Sequence, residues 1–363
     1  MPLSKIQTAD MLDTPNLGRR NLIINGSMQV AQRATSSTSL SYQTVDRFAV
    51  DQTQLDNLTL TQAQVADAPA GTGLKKSFKF TTTAAETAVA SNEYLRVYHA
   101  VEGKDVQRFE WGTSTGKEVT VSFYVKSSIT GTFACSIYIN DADVIMNKTY
   151  TISSANTWER KTLTFPAYTA GGSAVPTDDT TAGIYLNFGL LAGSSYNTQI
   201  NDWTAYGGGT NLLGGQTANV GAVNGTTWQL TGVQLEVGSV ATDFEHLSFA
   251  EELLLCQRYY YSFKTDNQNG LLLCHQDRNT DTYIGQVVMP TEMRAAPTVS
   301  HTGMDRAHKP GVRYDTLSAG PQFSFLHSQG ITLTITTTNS DSASQTVYLG
   351  AVSGGTINMT AEI

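Results

Sequence analysis

In the stretch Asn201-Asp-Trp-Thr-Ala-Tyr-Gly-Gly-Gly-Thr-Asn211, two aromatic rings, Trp203 and Tyr206, stand among glycines and uncharged polar residues. Indole and phenol rings on a long loop offer flat apolar faces on which the C–H side of a sugar ring stacks, and amides or carboxylates at the rim supply hydrogen bonds. Trp203 and Tyr206 are therefore the first candidates for such a platform, with Asn201 and Asp202 as its rim. Packing of the loop onto the protein body, or a contact between copies, would use the same rings. Trp111, after Arg108, Phe109 and Glu110 and before Gly112, is a second candidate. Trp158, beside Thr162, Leu163 and Phe165, and Trp228, entering an apolar run, are expected in the core.

Groups that could do covalent chemistry are present without a catalytic arrangement. Acids pair at Asp178 and Asp179, Asp141 and Asp143, Glu251 and Glu252, and Asp277 and Asp281. Glycoside hydrolysis takes two carboxyls about 5 to 9.5 Å apart across a cleft, and neighbouring acids in turns are ordinarily solvated. The six histidines form no H-x-x-x-H or H-E-x-x-H pattern, and Gly-x-Ser-x-Gly and Walker loops are missing. Gly207 to Gly209 and Gly214-Gly215 do not join a strand to a helix through a lysine, so they read as loops. No catalytic residue is expected, and the chain is read as non-enzymatic.

The elements that must position these residues are strands. Only 15% of the 363 residues are charged, against roughly 25% in an ordinary soluble domain, so uncharged polar residues, threonine above all, must form the surface. Threonine is β-branched and suits a pleated, half-buried surface. Period-two alternation sets Val119, Val121, Phe123 and Val125 against Thr120, Ser122 and Tyr124. It also sets Phe133, Cys135, Ile137 and Ile139 against Ala134, Ser136 and Tyr138, giving each strand one buried and one wet face. About ten such strands with Gly, Ser and Asn turns predict an antiparallel jelly-roll sandwich over residues 21–247.

Ser248 followed by Glu251 is a capping box that opens a helix, expected over 248–263 as a connector packed on several sides. A second, smaller β-sandwich is expected over 264–363. Residues 1–20 show no sustained periodicity and read as an extended arm.

The net charge of −8, with 23 dispersed basic residues, argues against nucleic acid. Apolar runs such as Leu253 to Cys256 fall far short of the roughly 20 residues that span a bilayer, so no membrane insertion is expected. Met1 to Asp13 show no charged start followed by an apolar stretch, so no secretory signal is expected there. Cys135, Cys256 and Cys274 lie in apolar runs and read as buried free thiols.

Three separated stretches resemble bacteriophage tail fibre and receptor-binding proteins: Asn21-Leu-Ile-Ile-Asn-Gly-Ser-Met28, Thr231-Gly-Val-Gln-Leu-Glu-Val-Gly-Ser-Val-Ala-Thr-Asp-Phe-Glu-His246 and Glu251-Glu-Leu-Leu-Leu-Cys-Gln-Arg-Tyr-Tyr260. Met289-Pro-Thr-Glu-Met-Arg-Ala-Ala-Pro-Thr298 resembles the entry to the family's second domain. Asp46-Arg47-Phe48 and Thr157-Trp158-Glu159-Arg160 also look like parts of a carbohydrate-binding-module jelly roll. The resemblance implies a homotrimeric virion appendage, made in the host cytoplasm, whose N-terminal arm joins the phage tail or another virion protein. It also implies contact with host-surface polysaccharide. With no shaft repeat, a short spike is expected rather than a long fibre. Many modules of this type hold a structural Ca²⁺, and Glu236, with carbonyls near Asn25 and Gly26, is the matching position. A plain solvent-facing or interface glutamate is the alternative there, and no other cofactor is expected. A capsid decoration or adaptor protein and a polysaccharide depolymerase are the alternative functions.

Overall fold

The computed structural model describes residues 19–169, 175–265, 272–276, 281–304, 306–308, 315–317, 320–337, 346–350 and 355–363. The expected N-terminal arm falls almost wholly outside them. By contacts the chain divides into two compact units, one running to Glu252 and including Ile363, the other spanning Leu253–Glu362.

The first unit is a sandwich of two antiparallel sheets. Its strands are β1 (Ser36–Ser37), β2 (Ala49–Thr53), β3 (Thr59–Val65), β4 (Ser77–Ala84), β5 (Tyr94–Glu102), β6 (Val119–Ser127), β7 (Gly131–Ile139), β8 (Val144–Ile152), β9 (Glu159–Phe165), β10 (Ala182–Ala192), β11 (Thr204–Ala205) and β12 (Thr227–Val237). One sheet runs β1-β3-β4-β12-β6-β9 and the other β11-β8-β7-β10-β5-β2, a jelly-roll arrangement. The last-made strand, β12, occupies the middle of its sheet between β4 and β6.

The expected alternation sets the core, but the opposite phase of β6 and β7 is not the expected wet face: Thr120, Ser122, Ala134 and Ser136 are buried too. Loops cover them, Thr120 Oγ1 donating to Gly238 O at 2.6 Å and Ala134 packing on Leu212 and Leu213. Phe123, Phe133, Ile137, Phe188, Phe78, Phe80 and Leu95 point inward and are fully buried. Trp228 joins them at 0% exposure, as expected, whereas Trp158 is half-buried, with Nε1 donating to Asp67 Oδ1 at 3.1 Å. Leu22-Ile23-Ile24 forms no regular strand. It lies along β12 through Leu22 N to Leu235 O, 3.0 Å, and Asn21 Oδ1 accepts from Leu235 N at 3.0 Å. Gly26 in the following turn cannot be replaced, because a Cβ there would sit 2.2 Å from the Val233 carbonyl oxygen.

A short helix, α1 (Gly103–Val106), follows β5, and α2 (Phe249–Gln257) begins at the expected capping box. Glu251 N donates to Ser248 Oγ at 3.3 Å and Ser248 N donates to Glu251 Oε2 at 3.0 Å. The helix is shorter than the expected 248–263, since Tyr260–Thr265 is instead drawn into a strand, β13, that pairs with β22 (Gly355–Thr360) from Tyr260↔Thr360 to Thr265↔Gly355. Nor is it enclosed: Phe249 and Leu254 are 54% and 46% exposed.

In the second unit β13, β22 and β16 (Thr298–Thr302) form a three-stranded sheet in the order β13-β22-β16. The other, seven-stranded sheet contains β14 (Leu272–Gln276), β15 (Thr282–Val288), β17 (Arg306–His308), β18 (Asp315–Thr316), β19 (Gln322–His327), β20 (Gly330–Thr336) and β21 (Thr346–Gly350), in the order β18-β17-β21-β14-β15-β20-β19. Tyr283, Leu333, Leu349, Ile357 and Met359 lie in one core. The protein is therefore all-β: a jelly roll, a short connecting helix and a smaller β unit. All three cysteines are buried, and burial pushes the Cys274 thiol up to about 12. Among the described residues no helix is long and apolar enough to cross a membrane.

Candidate functional site

Outward positions on the sheet containing β5, β7 and β10 carry tyrosine where the alternation calls for a polar residue. In β5 these are Tyr94, Arg96 and Tyr98, in β10 Tyr185 and Asn187, and in β7 Ser136 and Tyr138. Register brings them side by side. Tyr98 lies across from Asn187, Asn187 across from Ser136, and Tyr185 across from Tyr138. Tyr42, before β2, and Tyr206, beyond β11, extend the row.

The result is a continuous ribbon of five tyrosines. Ring centroids are 5.8 Å apart for Tyr42 and Tyr98, 5.8 Å for Tyr98 and Tyr185, 6.0 Å for Tyr185 and Tyr138, and 4.4 Å for Tyr138 and Tyr206. The Tyr138 and Tyr185 rings are inclined by only 24°. Tyr42 is buried and closes one end, while the other four are half-exposed.

Polar groups run beside the ribbon. Asp51 Oδ2 accepts from Arg96 Nε at 2.8 Å and from the Tyr94 hydroxyl at 3.0 Å, and lies 2.7 Å from Arg96 Nη2. Arg96 Nη1 donates to Asn187 Oδ1 at 2.8 Å, and Asn187 Nδ2 donates to Ser136 Oγ at 3.2 Å. The guanidinium lies 4.9 Å from the Tyr98 centroid and 5.5 Å from that of Tyr94. Burial works against its charge, but Asp51 and Tyr94 outweigh this and hold its pKa above the ordinary arginine value. Burial likewise raises the phenols, Tyr94 to about 12 and Tyr98, Tyr138 and Tyr206 in the same direction. All four keep their protons at neutral pH. The Tyr138 hydroxyl donates to Asp143 Oδ1 at 3.0 Å.

The long connection between β10 and β12 covers the rest of this sheet face and fixes the far end of the ribbon. Leu212 and Leu213 pack on Ala134, Ile145 and Ala192, and Asn147 Nδ2 donates to Asn211 O at 2.8 Å. Gln216 Oε1 accepts from Ala134 N at 2.6 Å, lying over Gly189, where a Cβ would come within 2.6 Å of it. Tyr206 N donates to Asp143 O at 2.9 Å. The loop is thus tied down at several points.

The sequence candidates divide between two clusters. Tyr206 belongs to the ribbon. Trp203 does not share a platform with it: its Nε1 donates to Pro166 O at 3.1 Å, and its ring meets Trp111 at 5.0 Å and Tyr168 at 5.7 Å. Two separately nominated tryptophans are therefore brought together, as packing. Trp111 is 3% exposed and donates to Lys117 O at 2.8 Å. Asn201 and Asp202 are exposed, and Asp202 Oδ1 accepts from Trp203 N at 2.8 Å.

Glu236 is 3% exposed. Its carboxylate accepts from Thr242 N at 2.9 Å, Thr242 Oγ1 at 2.7 Å and Gln234 Nε2 at 2.9 Å. The Asn25 and Gly26 carbonyls accept from Met28 N and Val233 N. These oxygens are committed to closing turns, and a Ca²⁺ does not fit the donor set. Among the described residues no group of three or more His, Cys, Asp or Glu side chains is placed to hold a metal ion.

Several of the paired acids bond backbone N–H groups: Asp141 Oδ2 accepts from Thr177 N at 2.8 Å, Asp179 Oδ1 accepts from Thr181 N at 2.8 Å, and Glu252 Oε1 accepts from Asn25 N at 2.5 Å. Asp277 lies outside the described residues.

No protein-family model matches the chain, and no curated protein matches it in sequence. Solved structures give loose matches. The enzymatically active domain of tailspike protein 4 from bacteriophage CBA120 aligns with TM-score 0.31 and 13% identity over 60% of this chain, which spans only 21% of that one. A putative sugar-binding protein from Bacteroides thetaiotaomicron gives 0.32 and 12% over 60% of this chain and 100% of its own. A family 11 carbohydrate-binding module from Clostridium thermocellum, in complex with a β-1,3-1,4-mixed-linked tetrasaccharide, gives 0.30 and 9% over 57% and 98%. At such scores the jelly-roll assignment rests on the strand order itself.

Proposed function

We propose that the outer face of the β2-β5-β10-β7 portion of the sheet binds glycan, without catalysis. The tyrosine ribbon carries this reading. Four half-buried rings on neighbouring strands and one pinned loop give an apolar strip, fringed by Asp51 and Asp143, which suits a chain of sugar rings that stack and hydrogen-bond along it. Neutral phenols and a rigid sheet make the strip preformed, which lowers the ordering cost of binding.

The finer part of the proposal concerns biological setting. The three sequence stretches that resemble phage tail fibres support a short virion spike that adsorbs to host-surface polysaccharide. On that reading the N-terminal arm joins a tail or other virion protein, and three copies assemble. Several weak sites would then act together, raising avidity by about 100- to 10,000-fold over one.

The test is retardation of the full chain in gels containing dextran, β-1,4-galactan, mixed-linked β-glucan or mannan. Tyr98→Ala, Tyr138→Ala and Tyr185→Ala should each reduce retention by about tenfold, equivalent to losing roughly 1.4 kcal/mol of stacking, with unchanged tryptophan fluorescence. Retention that survives all three substitutions would remove the ribbon as the binding surface.

A further inference from the structure

We propose that the tyrosine face selects neutral glycans over acidic ones and that Asp51 is the residue that sets this choice. The inference rests on the glycan reading above and adds the class of sugar. Its basis is the way charge is spent on this face. Acidic sugars such as uronates and sialates are held by unengaged arginine or lysine, through charge-assisted hydrogen bonds. At the centre of the ribbon the cation is Arg96, whose charge is paired and whose three nitrogens each already have a partner, with the side chain only 16% exposed. Nε and Nη2 face Asp51, Nη1 donates to Asn187, and Tyr94 and Tyr98 lie against the guanidinium.

At the Tyr42 end, Arg47 is fully buried and donates to Ala100 O at 2.6 Å. Arg33 stands 3.8 Å from Asp46 Oδ1 with its side chain only 13% exposed. The charged group that remains exposed at the other end is Asp143, a carboxylate. An incoming sugar carboxylate would thus meet Asp51 and Asp143 with, among the described residues of this face, no exposed unpaired cation, in a chain whose net charge is −8. A neutral sugar meets rings and the carboxylate oxygens of Asp51 and Asp143, which accept its hydroxyl protons.

Asp51 controls the balance because it neutralises Arg96 while its own side chain stays 33% exposed. Asp51→Asn keeps one oxygen for the Tyr94 hydroxyl and Arg96 Nε but removes the countercharge, leaving Arg96 able to pair with a ligand carboxylate.

The experiment uses the full-length protein and gels of matched backbone that differ in charge, polygalacturonate against its methyl ester, together with dextran, β-1,4-galactan and mixed-linked β-glucan as further neutral probes and alginate and polysialic acid as further acidic ones. Wild type should be retarded by neutral polymers alone. Asp51→Asn should gain retention on acidic polymers of about tenfold, the size of one charge-assisted hydrogen bond, and lose that gain in salt. Wild-type retention on an acidic polymer that disappears in Tyr185→Ala would leave the glycan reading standing and overturn this proposal. Retention on no polymer would overturn both. A folded Asp51→Asn that gains nothing on acidic polymers would overturn Asp51 as the determinant. Should that variant fail to fold, wild-type salt response decides. Neutral retention steady within about twofold from roughly 0.05 to 0.5 M salt fits the proposal, and a tenfold fall over that range contradicts it.

Discussion

Acidification should weaken the first unit through one histidine. His99 points inward from β5 at 0% exposure, with its ring 5.1 Å from Phe48 and its Nε2 3.2 Å from the Ile24 backbone nitrogen. Burial, with Arg47 next, holds its pKa well below 6.5. The unfolded chain takes up a proton at His99 as pH falls through 6.5, whereas the folded chain refuses it, so stability declines below that pH. From pH 7.5 to 5.5 the loss is about 1.4 kcal/mol if the folded imidazole stays neutral. Other groups act elsewhere or in the opposite sense. The lowered carboxyls Asp67, Glu86 and Glu159 contribute stability that is lost only below their unfolded values of 3.8 to 4.5. Burial raises Glu252, so any proton it gains in this window stabilises the fold.

Comparing variants isolates His99. All four tryptophans, at 111, 158, 203 and 228, belong to the first unit, so their fluorescence reports its urea unfolding without the second. Wild type should lose about 1.4 kcal/mol more than His99→Gln between the two pH values. Equal losses in both proteins would refute the argument.

Two further outcomes follow from the site. Trp203→Ala removes the packing on Trp111 and Tyr168 and the bond to Pro166, and should cost about 2 to 4 kcal/mol by fluorescence-monitored unfolding while leaving retention on neutral glycan gels within about twofold of wild type. Glu236→Ala releases Thr242 and Gln234 and should cost about 1 to 3 kcal/mol, whereas chelation of Ca²⁺ should leave the wild-type melting temperature unchanged; a calcium-dependent melt would contradict the assignment of Glu236 as a turn clamp.

The all-β character and the sandwich were legible because apolar residues recur with period two in β6 and β7, although loops bury much of the opposite phase as well, and Ser248 with Glu251 announced the start of α2. Where α2 stops was less legible, since Leu, Cys, Gln and Arg continue to favour helix until Tyr259. Only pairing with β22, almost a hundred residues away, shows why Tyr260 turns extended. Tyr206 lies in the ribbon, whereas Trp203, whose glycine-rich setting suggests exposure, is half-buried, held by the Pro166 carbonyl and Trp111, which are distant in sequence. The ribbon itself escaped detection because its tyrosines are scattered from 42 to 206 and meet only through register. Its trace in the sequence is tyrosine at the polar phase of alternation, in Tyr94 and Tyr98, Tyr138 and Tyr185.

The central place of β12 bears on how the chain is made. On a ribosome adding about 5 to 20 residues per second, β4 and β6 emerge long before Thr227, and on the order of ten seconds pass in which the edges destined for β12 have no partner. During that interval Phe78, Phe80 and Phe123 lack the strand that completes their layer. The nascent sheet therefore exists as two ribbons with open edges, the condition under which strands from different copies join wrongly. Sparse charge makes that hazard greater, and Lys79 and Lys126, both aligned with Gln229, stand on the very edges left waiting.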